Sequence, residues 1–313
     1  MIRSALALGL LVVLAGDADA YVRTRSSHGT GHPSAWPGTC VFVMPDSAGS
    51  PDLPSDQVFS IIQKSMANWN TNGCSYLQLM YDQPTVHDAH YDGTNVIKFR
   101  TDKWCHPIDP QNTPEVCYSE QAAAITSVFM INDGEPADGT ILDADIEVNN
   151  LNFTFVVITP GATPPVPRIG TSIADLENTL THELGHLQGL SHTCKDAASF
   201  PNDVDENGNP PPSCDAIPAD EVLKIKEATM YNFASPGETI KRSPTDDDLA
   251  GICNAYPVAK NPNMCTHTDL AKLTQRGGCE LGAFRDAAPF GVPALLLALA
   301  FALRLRRRHR DCT

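Results

Sequence analysis

The sequence predicts a mixed α/β domain of the α+β kind, built around one β-sheet. Segments whose apolar residues alternate with polar ones indicate strands, and segments with the 3.6-residue apolar repeat indicate helices. The order along the chain is strand, helix, several strands, helix and helix, which is typical of helices packed against a single sheet. A high content of proline and glycine, 25 and 21 residues, indicates long connecting loops.

The individual elements follow from the positions of the apolar residues. A first strand at 40–44 precedes a helix that is capped by Ser55. The apolar residues that share one face of this helix are Val58, Ile62, Met66 and Trp69. The next strands are predicted at 76–80, 95–99, 122–131, 141–148 and 153–158. A second helix is predicted from about Ile173, with Ser172 as its N-cap, and a third begins near Thr245.

Both ends of the chain carry features of export. Residues 1–20 combine Arg3, an apolar stretch and a small-x-small cleavage site, which is typical of a secretory signal peptide rather than a short membrane anchor. Near the other end, Cys279 is followed by an apolar run at 290–303 and five arginines. This layout resembles the C-terminal sorting tails of myxobacterial surface proteins, and a weak membrane anchor is the alternative. We expect a secreted protein or one anchored to the outer cell surface.

The composition excludes one function class and indicates a redox compartment. Lys and Arg number 22 and Asp and Glu number 37, for a net charge of −15, so phosphate groups would repel the chain and we expect no nucleic-acid partner. Ten cysteines in an exported chain predict disulfides, whereas no CxxC pair supports a cysteine zinc site. Many pairings are open, and we predict bonds between nearest neighbours: Cys40–Cys74, Cys105–Cys117, Cys194–Cys214 and Cys253–Cys265.

One short segment, Thr-His-Glu-Leu-Gly-His-Leu-Gln-Gly-Leu-Ser-His, carries the strongest pattern. His182 and His186 are four residues apart, so they share one face of a helix and can bind one zinc ion. Gly189 can end the helix at positive φ, and His192 can then return as the third ligand. Three histidines leave a position for water, whose proton Glu183 is placed to accept. Each residue alone is more often an ordinary polar residue, but HExxHxxGxxH together is specific.

The motif resembles that of the metzincin clan of zinc endopeptidases, whose second hallmark is a methionine turn beneath the metal. The segment Ala-Thr-Met-Tyr fits this turn, and the resemblance implies that Met230 is a hydrophobic base rather than a ligand. Within the clan, the segments 91–99, 142–149 and 243–252 are similar to those of the matrixins. The resemblance spans roughly residues 36–257.

The resemblance implies a zinc endopeptidase with one twisted mixed sheet, an active-site helix and a C-terminal helix. It implies zinc as the cofactor, calcium at ligands that it does not locate, and a peptide or protein substrate. The expected state is a monomer that meets a membrane only through the C-terminal tail. The substrate is expected to add a strand at the edge formed by 122–131. Tyr231 and Phe233 would wall the pocket for the residue after the cut bond and favour an apolar side chain.

The sequence departs from the matrixins in two ways. A Pro-Arg-Cys-Gly prosegment motif does not occur, so latency through a thiolate on zinc is not expected. The loop at 193–220 is long, and within it the segment 203–208 reads like the first half of a calcium-binding EF-hand loop. Position twelve of that loop would be Cys214, so a solvated acidic loop is the favoured interpretation.

The predicted organisation has five parts. They are a signal peptide at 1–20, an extended N-terminal segment at 21–39, a matrixin-like catalytic domain at 40–257, a linker with Cys279 at 258–288, and an apolar, Arg-rich sorting tail at 289–313. Two other functions stay open: a non-catalytic, zinc-stabilised adhesion or binding module, and a metzincin of another branch. The presence of Glu183 favours the peptidase, because binding alone needs no general base.

Overall fold

The computed structural model describes most of the chain between the two predicted targeting segments. Its described residues are 20–27, 31–108, 114–196, 203–205 and 207–268, with the backbone of 281–284. The predicted signal peptide up to residue 19, the Cys279 motif and the arginines of the tail lie outside the described residues. Within the described part, no helix has the length and apolar character needed to cross a bilayer.

The described residues form helices and strands in the following order. The helices are α1 (Ser55–Asn70), α2 (Leu176–Leu187), α3 (Val222–Glu227) and α4 (Asp246–Ala255), with 3-10 turns at Ile240–Arg242 and Val258–Lys260. The strands are β1 (Val22–Arg23), β2 (Cys40–Pro45), β3 (Gln78–Tyr81), β4 (Asn95–Arg100), β5 (Cys105–His106), β6 (Val116–Cys117), β7 (Ala124–Ile131), β8 (Ile141–Asn149), β9 (Phe153–Val156), β10 (Ser172–Asp175), β11 (Leu190–Ser191) and β12 (Leu281–Phe284).

The main sheet is mixed, as expected, with the strand order β12-β7-β8-β4-β2-β3. Strands β3, β2, β4 and β8 run parallel, whereas β7 is antiparallel to β8. Three two-stranded sheets, β1-β11, β9-β10 and β5-β6, accompany it. The protein is therefore a mixed α/β fold with few helices, although the prediction of one sheet did not include the three small ones.

Helices α1 and α2 pack against each other and against the main sheet in one hydrophobic core. All four residues of the predicted apolar face of α1 are buried in this core. The indole Nε1 of Trp69 donates to the carbonyl oxygen of Thr181, 2.8 Å away, which ties α1 to α2. Pro54 occupies the N-cap position of α1, so Ser55 is its first helical residue rather than its cap.

Strand β8 buries acidic side chains on the face opposite to its core-facing residues. The Oδ2 atom of the Asp143 carboxyl group accepts hydrogen bonds from the backbone N–H groups of Asp92 and Gly93, at 2.7 and 2.8 Å. Burial raises the pKa of Asp143 to about 8 and raises that of the neighbouring Asp145 well above its usual value. Glu147, next on this face, is paired with Arg100 at 2.5 Å.

The predicted start of the second helix is wrong by several residues. Ser172 is not an N-cap, because Ser172–Asp175 forms β10, parallel to β9. The helix begins at Leu176, and Asp175 is its cap, with a side chain that accepts from the backbone N–H of Asn178 at 2.9 Å. The apolar residues that begin at Ile173 therefore belong first to a strand and then to a helix. Their spacing alone does not show where the strand ends and the helix begins.

Four disulfides join described residues, and two of the predicted pairings are correct: Cys105–Cys117 and Cys194–Cys214. The other two predictions are wrong, because the bonds are Cys40–Cys265 and Cys74–Cys253. The fold brings distant segments together at these points. The backbone N–H of Thr39 donates to the Met264 carbonyl at 2.8 Å, so the predicted linker is fastened beside β2.

Strand β7 is not the free edge that the sequence analysis expected from 122–131. Strand β12 pairs with it in the antiparallel sense, from Leu281 opposite Ile131 to Phe284 opposite Val128. The outer N–H and C=O groups of this part of β7 are therefore engaged by the C-terminal segment of the same chain. The N-terminal segment is also integrated, since β1 pairs with β11.

Candidate metal centre

The three predicted ligands converge. His182 and His186 lie one turn apart on α2, and His192 follows β11, after the chain has turned back. The Nε2 atom of His186 is 3.1 Å from the Nε2 atom of His182 and 3.1 Å from that of His192. Two imidazole nitrogens bound to one tetrahedral zinc ion at about 2.0–2.1 Å are separated by about 3.3 Å, so the spacing fits such an ion.

The hydrogen bonds at the other ring nitrogens fix the tautomers. His182 Nδ1 donates to the Thr229 carbonyl oxygen at 2.6 Å, and His186 Nδ1 donates to the Leu190 carbonyl oxygen at 2.9 Å. A carbonyl oxygen only accepts, so each Nδ1 carries the hydrogen and each Nε2 carries a lone pair. Two lone pairs 3.1 Å apart cannot hydrogen-bond to each other, whereas a cation between them removes the repulsion.

The environment keeps these imidazoles neutral, which is the form that binds metals. Burial lowers the pKa of His186 to about 4 and that of His192 to about 3. The pKa of His182 is lowered well below its usual value, chiefly by burial and then by the neighbouring His186. Desolvation is the main cause in all three cases, because the charged ring would lose its hydration.

The turn between the second and third histidines is built as predicted. Helix α2 ends at Leu187, and Gly189 has φ of 93°, a conformation that side chains with a Cβ rarely adopt. A Cβ there would also lie 2.7 Å from the Ser34 hydroxyl oxygen and 2.8 Å from the Ser34 carbonyl oxygen. Any other residue would therefore strain the turn that returns His192 to the centre.

Glu183 is buried beside the first histidine. Its Oε2 atom accepts a hydrogen bond from the Thr126 hydroxyl at 2.6 Å, so β7 helps to orient the carboxylate. Within the described residues, the cluster of possible ligand atoms at this point consists of the three histidines, all within 4.8 Å of one another, and Glu183 is not a member. Among the histidine, cysteine and carboxylate side chains of the described residues, the donor set is thus three nitrogens, which fits a metal that keeps a position for water.

Met230 lies in the core, in contact with α2 between the first two histidines of the motif. Its side chain is fully buried and packs against α2 at Gly185. A Cβ on Gly185 would overlap the Met230 sulfur and would lie 3.0 Å from the Trp69 ring. The small residue in the middle of the motif is therefore needed for the methionine to approach the helix.

Asp248 is a site residue that the sequence analysis missed. Its fully buried carboxylate accepts from the backbone N–H groups of Thr229 and Met230, at 2.8 and 3.1 Å, and so holds the turn from α4. It also completes a capping box with Thr245. The available signal was the Thr-x-x-Asp spacing at the start of α4, which the sequence analysis did not use.

Tyr231 and Phe233, the predicted pocket residues, lie together after the turn. Their ring centroids are 5.7 Å apart, and Phe233 is exposed. Between them, Asn232 donates to Asp196 at 2.5 Å, which connects this segment to the loop after His192. The two aromatic residues are therefore held together and joined to the disulfide-bonded loop, and their role as a pocket wall stays a prediction.

The acidic loop is less solvated than predicted. Asp203 is buried, accepts a hydrogen bond from the Ser191 hydroxyl and has a pKa that burial raises to about 7. The Asp205 carboxylate accepts from the backbone N–H groups of Asn207 and Asn209 at 2.9 and 2.7 Å. Neither carboxylate belongs to a cluster of three possible metal ligands in the described part of the chain. The expectation of calcium stays untested.

Comparisons with known proteins leave the family open. No protein-family model matches the sequence, and no match is found among curated proteins. The chain is similar to a solved structure described as the GM1 bound form of the ECX AB5 holotoxin, with 11% identity and a TM-score of 0.40. The match covers 82% of this chain and 96% of that chain. A similarity this low carries no functional argument.

Proposed function

We propose that the protein is a zinc-dependent endopeptidase, a metzincin similar to the matrixins. One observation carries the proposal: the Nε2 atom of His186 lies 3.1 Å from that of His182 and 3.1 Å from that of His192, and at least two of the three atoms carry lone pairs. Such an arrangement needs a cation, and nitrogen ligands in a tetrahedral set without a fourth protein donor are typical of catalytic zinc. His182, His186 and His192 would hold the ion.

Zinc bound there would lower the pKa of its water towards about 7 and polarise a peptide carbonyl group. The Glu183 carboxylate, next to the first histidine, accepts the proton of the attacking water. It then returns that proton to the amine that leaves as the peptide bond breaks. The hydrogen bond from Thr126 restrains the carboxylate during both transfers.

The backbone carbonyls that receive the Nδ1 hydrogens have a role of their own. The Thr229 and Leu190 carbonyl oxygens keep the first two rings oriented and make the Nε2 atoms more basic. One carbonyl belongs to the methionine turn and the other to β11, so the packing of both elements positions the ligands.

The four disulfides support a location outside the cytoplasm, in line with secretion or anchoring to the outer cell surface. A peptide or protein substrate fits this location. The proposed domain is monomeric, and contact with a membrane is assigned to the C-terminal tail alone.

The test compares the zinc-loaded protein with the variant Glu183→Gln in casein and peptide-library digestion. Glutamine has the shape of glutamate but accepts no proton, so we expect retained zinc and a loss of hydrolysis of at least about 100-fold. A His182→Ala variant serves as the matched control that loses zinc as well as activity. Equal turnover by Glu183→Gln would refute the general base. A wild-type protein that retains zinc and cleaves nothing would favour the binding module instead.

A further inference from the structure

Strand β7 passes directly beside the proposed catalytic centre. The hydroxyl of Thr126, near the start of this strand, is within hydrogen-bond distance of two Glu183 oxygens, Oε2 at 2.6 Å and the backbone carbonyl at 3.2 Å. Helix α2, which carries Glu183, packs against β7. The outer edge of β7 is therefore the edge of the main sheet that adjoins the proposed general base.

Strand β12 covers part of this edge. Its four residues pair with β7 in the antiparallel sense, from Leu281 opposite Ile131 to Phe284 opposite Val128. Along this pairing β12 runs towards Thr126. A peptide that binds by adding a strand to a sheet uses the outward N–H and C=O groups of the edge strand. Where β12 is paired, those groups of β7 are already engaged.

The opposite edge of the sheet is closed in a different way. There the side chain of Asn70 binds both backbone groups of Leu79 in β3: its Nδ2 atom donates to the carbonyl oxygen at 2.9 Å, and its Oδ1 atom accepts from the N–H group at 2.9 Å. Asn70 is the last residue of α1, so this closure belongs to the packed core of the domain. By contrast, β7 is covered by a strand from the far end of the chain, and displacement of that strand alone would uncover it.

The contacts that fasten the C-terminal part of the domain lie far from β12. Cys265 is bonded to Cys40, and the ring of His267 stacks on that of Phe42 with 4.0 Å between the centroids. Both partners belong to β2, which β4, β8 and β7 separate from β12 by about 19 Å in all, at about 4.8 Å for each strand. The four disulfides between described residues all precede residue 269. Strand β12 can therefore leave β7 while these fastenings stay intact.

The pairing of β12 with β7 is short. A free peptide that forms only four residue pairs binds weakly, whereas a covalent connection to the domain, here through residues 269–280, raises the effective concentration of the strand. Covalent attachment therefore keeps the edge covered in most molecules, and a separated strand would be lost on dilution. A substrate competes with β12 as long as the connection is intact.

We infer that β12 is an autoinhibitory strand, and that separation of the C-terminal segment from the domain activates the peptidase. The inference rests on the proposed peptidase function and on a substrate that binds as an added strand. Substrate and β12 exclude each other because both need the outward backbone groups at 128–131. Inhibition is competitive, so the uncut chain has a raised KM and an unchanged kcat, and a cut within 269–280 restores the lower KM.

The test inserts a recognition site for a sequence-specific protease between Lys272 and Leu273 of the full chain. The zinc-loaded protein is assayed on a peptide substrate before and after the cut. If the edge is free in about one tenth of the uncut molecules, the cut should lower KM about tenfold and leave kcat unchanged. Wild-type protein treated with the same protease is the control and should keep its KM.

A pair of double variants tests the pairing without a cut. Alternate residues of a strand direct their N–H groups to the partner, so Gly282→Pro combined with Ala283→Pro removes a donor from the β12 ladder whichever residue supplies it. We expect KM to fall as it does after the cut. The matched control, Ala287→Pro combined with Ala288→Pro, changes residues beyond the end of β12 and should keep the wild-type KM.

A synthetic peptide of residues 280–288 tests the competition directly. Added to the cut protein, it should raise KM again without changing kcat, because it occupies the same edge. The same peptide with Gly282→Pro and Ala283→Pro is its control and should not inhibit. Equal effects of the two peptides would show that pairing with β7 is not the cause.

Hydrogen exchange of the outward backbone amides at 128–131 reports on β12 independently of catalysis. We expect these amides to be protected in the uncut chain and to exchange faster after the cut. Free exchange in the uncut chain, or release of β12 with an unchanged KM, would overturn the inference and leave the proposed function standing. A protein that retains zinc and cleaves nothing before or after the cut would overturn both.

Discussion

The Asp248 carboxylate offers the sharpest test of how the metal centre is supported. It touches none of the three histidines, yet it accepts from the backbone N–H groups of Thr229 and Met230 and caps α4. Replacing Asp248 with alanine leaves two buried N–H groups without an acceptor, at about 1–3 kcal/mol each. Loss of the cap adds about 1 kcal/mol. We therefore expect the free energy of unfolding to fall by about 4 kcal/mol.

The same substitution should weaken metal binding. The Thr229 carbonyl orients the ring of His182, and the N–H of that residue is held by Asp248. Loss of a group that orients a ligand typically costs about 10- to 100-fold in metal affinity. We expect a loss of this size in competition with a zinc chelator, measured under conditions where the variant is folded.

The matched control is Asp246→Ala, two residues earlier in the same helical turn. Asp246 is exposed and interacts only with the helix dipole, so its loss should cost about 0.5 kcal/mol. Urea unfolding of both variants, metal-free and with the disulfides intact, gives the comparison. If the two variants differ by less than about 1 kcal/mol, the carboxylate does not hold the turn and the reasoning fails.

Two further outcomes follow from the structure. Because the raised pKa of Asp143, about 8, keeps it protonated in the folded state, the stability gained from this group is present at low pH and is lost as the pH rises towards 8. The Asp143→Asn variant lacks this titrating group, so its free energy of unfolding should rise by about 3 kcal/mol relative to that of wild type when the pH is raised from 5 to 7. If the difference between the two proteins is the same at both pH values, the pKa of Asp143 is not raised. A chain that ends at Thr268 lacks β12 and frees the outer edge of β7, so its KM for peptides should fall. An unchanged KM would show that substrates do not use this edge.

The convergence of the three histidines and the local elements could be predicted because their signals are close in sequence. His182, His186 and His192 lie within one helix and its following turn, and Gly189 has the positive φ that this turn requires. Helix α1 also follows directly from its apolar period. In these cases a short stretch of chain contains the whole physical reason for its conformation.

The features that the sequence analysis missed depend on contacts between distant segments. Cys74 pairs with Cys253 because the segment after α1 is hydrogen-bonded to the residues that follow α4, where the Tyr76 N–H donates to the Tyr256 carbonyl oxygen at 2.8 Å. Nothing near either cysteine encodes that approach. The β10 strand at Ser172–Asp175 exists because β9 offers it a parallel partner. Rules based on residue spacing consider each segment alone. They therefore start the second helix several residues too early and pair each cysteine with its nearest neighbour in the sequence.

Asp248 belongs between these two cases. Its capping box with Thr245 is a local pattern that the sequence displays, whereas its hydrogen bonds to the methionine turn are made by the fold. One carboxylate thus stabilises the first turn of α4 and also holds the methionine turn. We therefore expect few replacements to be tolerated at this position. The same reasoning applies to Gly185, which continues α2 and makes room for Met230. The histidine cluster and the turn beside it therefore depend on residues that satisfy a local and a distant requirement at once, and motif spacing captures only the local requirement.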